Sequence, residues 1–269
     1  MRQVVELKEI QALALEILKS VKAFCEEQGI TYYLAYGTLL GGIRHKGFIP
    51  WDDDIDLWMK RDDFNRFCIE FPNWGKQNGL YVNSVRTTDK YNRVHAQVCL
   101  KKTKLQANDR SNPFPEGYFI DIFPLDGTPN DSFKRWLHMT HLQLLKNVVT
   151  LSAYKPKNKT VVFYVAKLFR HVNTGKVLRR YEKTAEKYPC DHSEFLQMMA
   201  PGKKRGRNIL ISAAFFNETT QIEFEDTTVP APVGYDVALR GIYGDYMQLP
   251  PVEARKPHHD FTLWMEEKL

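Results

Sequence analysis

The stretch GFIPWDDDIDLWM, Gly47 to Met59, crowds Asp52, Asp53, Asp54 and Asp56 together and then continues in Leu57, Trp58 and Met59. Pro50 argues against a helix running into the acidic residues, so the apolar continuation is expected to be a strand. Strand alternation puts Asp52, Asp54 and Asp56 on one face and Ile55, Leu57 and Met59 on the other, against the core. Two carboxylates ~4 Å apart repel by roughly 4 kcal/mol at an effective dielectric near 20. A divalent cation removes that repulsion, and an all-oxygen donor set points to Mg²⁺, with Mn²⁺ as the other choice. A merely solvated acidic turn leaves Asp56, enclosed by Ile55 and Leu57, without a reason. Asp53 is expected only to face solvent or hold the turn.

A second acid has the same character. In GYFIDIF, Gly117 to Phe123, Asp121 shares a strand face with Phe119 and Phe123, while Ile120 and Ile122 take the opposite face. A carboxylate between two aromatic rings is costly to bury unless it is paired or bound to a cation. If its strand lies beside the Asp54/Asp56 strand, three carboxylates converge, as two-metal phosphoryl transfer requires. Reading Asp52, Asp54 and Asp56 instead as a calcium loop fails, because the positions that need Gly and Glu hold Leu57 and Asp63.

Around these acids the elements follow from periodicity. Leu7, Ile10, Leu13, Ile17, Leu18, Val21, Phe24 and Cys25 recur at helical spacing up to Gly29. Ile30–Tyr36 is expected to be a strand, TLLGGIRHKG a short helix with Thr38 as its cap, and RDDFNRFCIEF another helix. Strands are expected at Leu80–Val85, Val94–Leu100 and Gly117–Phe123, the last closed by Pro124 and the turn pair Asp126–Gly127. The core sheet is expected to be complete by about residue 127. From Ser132 to Tyr188 the pattern is helical, and a strand-like TTQIEFEDTTVPAP, a helix YDVALRGIYG and a tail follow.

The 269 residues are 43% hydrophobic, enough for a sizeable core. No secretory h-region and no run of about 18 uncharged apolar residues is present. Cys25, Cys68, Cys99 and Cys190 are scattered and form no CxxC, which argues against a zinc site or a disulfide framework and points to the cytoplasm. The net charge of +6 favours an anionic partner. Most of the excess lies in residues 146–207, with 15 Lys and Arg against four acids. TVVFYVAKLFRHV, apolar with basic residues interspersed, suits peripheral contact with an anionic membrane at its inner face. No nucleic-acid motif accompanies the charge, so no nucleic acid is expected as a partner.

Taken together, YGTLLGGIRHKGFIPWDDDIDL, GYFIDIFPLDG and YGDYMQLPPVEARKPHH closely resemble the LicD family of phosphocholine transferases, to which fukutin-related proteins are also similar. The resemblance implies an α+β fold, with a polymerase-β-type nucleotidyltransferase-like core, a mixed β-sheet flanked by helices, and a helical insertion. The expected organisation is a catalytic core over residues 1–130, a basic helical region over 131–208 and a C-terminal segment, 209–269, that packs back on the core. Gly37 and Thr38 match the family's phosphate-binding turn, Asp54 and Asp56 its metal pair, and Asp121 its third acid, which serves as metal ligand and as base toward the acceptor. DIDL, with an apolar residue after each Asp, favours 54/56 over 52/54.

The implied reaction is transfer of phosphocholine from CDP-choline, or of a related group from another CDP-linked donor, to a sugar hydroxyl. The acceptor is a cell-surface glycan of teichoic acid or lipopolysaccharide type, or its lipid-linked precursor, and CMP leaves. Arg44 is a candidate phosphate clamp, and Asp52 and His258 are further candidates for contact with substrate. Trp51, Tyr36, Trp58, Tyr243 and Tyr246 are available to face the quaternary ammonium of choline. Two rival readings share the metal site: a nucleotidyltransferase releasing pyrophosphate, and an Asp-x-Asp glycosyltransferase using a nucleotide-sugar. The latter leaves YGTLLGG and Asp121 without a role.

Overall fold

A computed structural model describes residues 1–89, 91–107, 117–153, 161–199, 208–257 and 261–266. A short strand, β1 (Arg2–Val4), leads into α1 (Leu7–Gln28), which buries Leu13, Ile17, Leu18, Val21, Phe24 and Cys25 at the expected spacing. Next come β2 (Tyr33–Leu34), α2 (Tyr36–His45), β3 (Asp56–Lys60), α3 (Arg61–Gln77), β4 (Leu80–Asn83), β5 (Ala96–Leu100), β6 (Thr103–Ala107) and β7 (Phe119–Gly127). Three helices follow, α4 (Ser132–Ala153), α5 (Val161–Phe169) and α6 (Thr174–Ala185). The chain then forms β8 (Phe195–Met199), β9 (Asn208–Ser212), the hairpin β10 (Thr219–Phe224) and β11 (Thr227–Pro232), α7 (Tyr235–Tyr243) and β12 (Phe261–Met265).

The fold is α+β. Its central sheet runs in the order β2-β3-β7-β5-β4, with β8 and β9 joined to the far end of β7. The pairing is mixed: β3 and β7 are parallel, while β2–β3, β7–β5 and β5–β4 are antiparallel. Helices α1 and α3 cover it, and Phe24 of α1 stands edge-on to Phe67 and Phe71 of α3 at 5.6 and 5.1 Å. A small sheet, β1-β12-β6, ties the two ends of the chain together. All four cysteines are free and buried. No helix among the described residues is long and apolar enough to cross a membrane.

Several expectations shift. The sheet is not complete by residue 127, because β8 pairs with Asp126 and Gly127 and brings β9 with it. Pro124 and Asp126–Gly127 do not close β7. Pro124 falls between the stretch paired with β5, ending at Ile122, and the stretch paired with β8, where a missing N–H costs least. The Asp126 carboxylate is drawn instead into a buried ion pair with Arg61 Nε at 2.6 Å. The strand expected over Ile30–Tyr36 keeps only Tyr33–Leu34, since Tyr36 and Gly37 already belong to α2. Ala35, not Thr38, is the N-cap of that helix.

One close approach accounts for part of the GG pair. A Cβ on Gly42 would come within 2.8 Å of Ile222 Cδ1, so glycine lets the β10–β11 hairpin lie directly on α2. At the tip of that hairpin, Glu225 accepts a hydrogen bond from the Phe48 amide at 2.9 Å, and its own amide donates to Lys46 O at 2.8 Å. The hairpin thus fixes the turn from which the acidic run departs.

Arg61 and Asp126 are each 3% exposed, and neither Nη of Arg61 has a hydrogen-bond partner among the described residues. Removing one member leaves an uncompensated buried charge. Asp126→Ala is expected to cost about 3–5 kcal/mol in urea unfolding, and Arg61→Leu combined with Asp126→Leu markedly less. A loss under about 1 kcal/mol for the single variant would show that this pair is solvated and not buried.

Candidate active site

The site forms where β3 and β7 run side by side. Their register sets Asp56 directly opposite Asp121, and on the other flank of β7 Gln97 of β5 lies opposite the same residue. Three polar side chains therefore cross the sheet in one row. Ile55, Leu57, Ile120 and Ile122 on the other face are fully buried, which is what keeps this row on the opposite face of the sheet.

Asp52, Asp53 and Asp54 are not on a strand. β3 begins at Asp56, and the three acids before it belong to the loop that enters the strand. Strand alternation consequently does not sort them, and their carboxylates gather instead: one oxygen from each lies within 4.8 Å of the other two. Asp53 is 3% exposed, so it is neither solvated nor idle. Buried Tyr118 donates its phenol to Asp53 O at 2.6 Å, and Gln11 donates to Asp52 O at 2.8 Å, so the loop is held by its backbone while its carboxylates face one another. Burial, then Asp54, Asp53, Asp52 and Asp121 in turn, push the Tyr118 phenol far above its ordinary range.

Gly37 and Thr38 act on these acids. A Cβ on Gly37 would sit 2.9 Å from Asp52 Oδ2, so glycine admits that carboxylate to the first turn of α2, where a helix start favours negative charge. The Thr38 hydroxyl accepts from the Asp56 amide at 2.8 Å, which is why it does not cap its own helix. Between the two elements Tyr36 holds φ 43°, a region disfavoured for a bulky side chain. Its ring is clasped by Trp58 and Phe123 and its hydroxyl donates to Met199 O at 2.5 Å.

Asp121 is held well below the usual carboxylate range, at about 2. Burial pushes its carboxyl up, but His95, Arg93 and a 2.8 Å hydrogen bond from Gln97 Nε2 outweigh it. His95 Nε2 lies 3.5 Å from Asp121 Oδ1, a charge contact without good hydrogen-bond geometry, and the ring packs on Phe123 at 4.7 Å. Burial lowers the His95 pKa against the pull of Asp121. The reading of the sequence passed over His95, Gln97 and Tyr118, although the alternation of polar His95 and Gln97 with Ala96 and Val98 marked them.

The remaining candidates scatter. Arg44, in the last turn of α2, donates to Tyr246 O at 2.6 Å, which binds the C-terminal segment to the helix. Burial, then nearby Arg255, lowers its pKa. Trp51 carries the Arg255 guanidinium over its ring at 5.6 Å, so that face is already occupied by a cation. Tyr36 and Trp58, 4% and 0% exposed, are core residues and offer no ring face to a ligand. Tyr246 donates its phenol to Asp236. Tyr243 on α7 remains 39% exposed, and its phenol is pushed up by burial of the hydroxyl and by Asp56, Asp52 and Asp54, which sets it at the rim of the acids. His258 lies outside the described residues.

The family profile described as LicD/FKTN/FKRP, nucleotidyltransferase domain, matches residues 29–147, a span that holds every acid of the site. The chain is 32% identical to the lipopolysaccharide cholinephosphotransferase LicD of Haemophilus influenzae over 260 residues, covering 94% of this chain and 96% of that protein. An uncharacterised Rickettsia prowazekii protein is 39% identical over 130 residues, 43% of this chain and 46% of its own. The human ribitol 5-phosphate transferase FKRP is 42% identical over 48 residues, 18% of this chain and 10% of that protein. With an acid cluster at the switch between β3 and β7 and a likeness that runs nearly end to end, the chain belongs to the LicD family of phosphotransferase enzymes.

Proposed function

We propose that this protein transfers phosphocholine from CDP-choline to a sugar hydroxyl of a cell-surface glycan of lipopolysaccharide or teichoic acid type, or of its lipid-linked precursor, with CMP leaving. The observation that carries the reading is the Asp56–Asp121 register beside the Asp52–Asp54 cluster, in a chain alike over nearly its whole length to a lipopolysaccharide cholinephosphotransferase.

The donor set fits a hard divalent cation. Every group in it is a carboxylate oxygen, gathered where two of the acids are buried, the chemistry that suits Mg²⁺ with Mn²⁺ as the alternative. Of that cluster Asp54 would hold it, together with Asp56 and Asp121, which the strand register sets side by side and the family resemblance adds, with Asp52 beside them. Bound there, the ion neutralises charge that develops on the phosphoryl oxygens. The lowered pKa of Asp121, set against its burial by His95, Arg93 and Gln97, makes it a weaker proton acceptor, which supports its role as ligand over its role as base. Gly37 and Thr38 serve the phosphates through the acids they position, by admitting Asp52 and fixing the start of β3. Tyr243, still 39% exposed near the acids, is the ring we assign to the quaternary ammonium of the donor.

The acceptor reading brings a surface with it. Phe133, Trp136 and Leu137 on α4 and Tyr164 and Leu168 on α5 are exposed, with Lys134, Lys167 and Arg170 among them. Aromatic and aliphatic side chains interspersed with basic ones suit the interface of an anionic membrane at its inner face, where a lipid-linked glycan would be met.

Incubated with CDP- and UDP-linked donors, the protein is expected to release CMP from CDP-choline, with loss of activity in EDTA and recovery on adding Mg²⁺. Pyrophosphate from a nucleoside triphosphate, or UDP from a sugar nucleotide, would sink the reading. Asp56→Asn and Asp121→Asn are each expected to lower kcat by at least about 10²-fold, the scale of losing one electrostatic contact to the transition state. Gly37→Ala, by displacing Asp52, should cost turnover while leaving the melting temperature within a few degrees; wild-type turnover would separate Asp52 from the reaction. On anionic vesicles at low salt the protein should co-sediment and Trp136→Glu should not, whereas equal recovery of both in the supernatant would remove the membrane contact.

A further inference from the structure

Helix α4 buries one stripe against the rest of the molecule, and a lysine stands in it. Leu142, Lys146 and Val149 follow one another at helical spacing and are 0%, 9% and 5% exposed. A lysine at such a position ordinarily carries its ammonium out to water or to a carboxylate. Lys146 does neither: its Nζ is buried and has no hydrogen-bond partner among the described residues. Burial alone drags its pKa down to about 8, and no carboxylate among the described residues answers its charge.

The place of this lysine is what gives it meaning. Leu145 of α4 and Val94 pack on the same small cluster, formed by Leu142, Tyr181 and Ala185. Val94 is flanked by Arg93 and His95, the two residues whose charges bear on Asp121. The charge of Lys146 in turn bears on His95. Further polar atoms without a hydrogen-bond partner among the described residues collect here, Nδ1 of His95 and Oε1 of Gln97. On one side of Asp121 stand the carboxylates of the acid loop, and on the other two cations and a set of unused hydrogen-bonding atoms.

We propose that Lys146 and Arg93 form an anion subsite on the α4 side of Asp121, which takes the oxygens of a phosphoryl group. The inference deepens the phosphotransfer reading and rests on it for the identity of the ligand. A phosphate supplies the charge that the buried ammonium lacks, and charge-assisted bonds to its oxygens return what burial cost. Such a phosphoryl group has two sources, the diphosphate of a nucleotide donor or a phosphate carried by the acceptor. The helical region that follows the core strands thereby contributes to the site by substrate contact as well as by packing.

Calorimetric titration of wild type and Lys146→Met, with Mg²⁺ present, tests this using CDP as the nucleoside diphosphate and glycerol 3-phosphate as the acceptor-like monoester. Lys146→Met is expected to bind one of them about ten- to hundredfold more weakly, the scale of a lost hydrogen bond to a charged group. Loss on CDP assigns the subsite to the donor, and loss on glycerol 3-phosphate assigns it to the acceptor. Lys146→Met should also melt higher than wild type without ligand, because methionine suits the stripe and an unpaired buried charge does not. Arg93→Met, at a less buried position, should weaken the same ligand. Unchanged affinity of Lys146→Met for both phosphates overturns the proposal even if CDP-choline is turned over. Failure to turn over CDP-choline, with the phosphate affinities still dependent on Lys146, overturns the donor assignment and leaves the subsite standing.

Discussion

The parallel pairing of β3 with β7 is the constraint on which the site depends. Asp56 and Asp121 come from segments 65 positions apart in the numbering and meet because their strands are in register. That register is enforced from behind, by Ile55, Leu57, Ile120 and Ile122, all fully buried. A slip of one residue would exchange two faces that are both packed, with Trp58 at 0% and Phe123 at 7% exposure beside the acids, and would set Asp56 opposite a residue other than Asp121, so apolar packing, which has no direction of its own, fixes the position of the charges.

Around that row the electrostatics divide. The acid loop, the start of α2 and Tyr243 lie on one flank, and His95, Arg93 and Lys146 on the other. Asp121 stands between them and is strongly ionised because the second flank prevails over its burial. Such a division suits a reaction in which an anionic group must approach a cluster of anions, because a positive flank attracts what a negative one repels. Backbone strain at Tyr36 falls at this junction, where a strained conformation accompanies a functional site.

Much of this was legible in the sequence where the signal was local. Helical spacing marked α1, apolar content marked β5, alternation marked β7, and the acid between two phenylalanines singled out Asp121, which the strand register sets opposite Asp56. What failed did so for non-local reasons. Strand logic was carried back from Asp56 through Asp52, whereas the backbone of that loop is held by Tyr118 and Gln11 from other elements. Pro124 and the Asp126–Gly127 pair looked like punctuation, and the partners that keep β7 going, Arg61 and β8, lie far along the chain. Lys146 left a trace, a charge in line with Leu142 and Val149, but only the docking of α4 beside Val94 gives that trace a meaning.

The hairpin β10–β11 has a consequence for how the molecule is made. Its tip, Glu225, grips the turn at Lys46 and Phe48 from which the acid loop departs, and β12 closes on β1 at the other end of the chain. Residues 37–121 hold the acids of the site, yet the hairpin that steadies them is synthesised after all of them. During translation the nascent core must wait, its hairpin-binding surface on α2 uncovered, until the hairpin has left the ribosome. A chain cut short before the hairpin would display its acids without the brace that aims them.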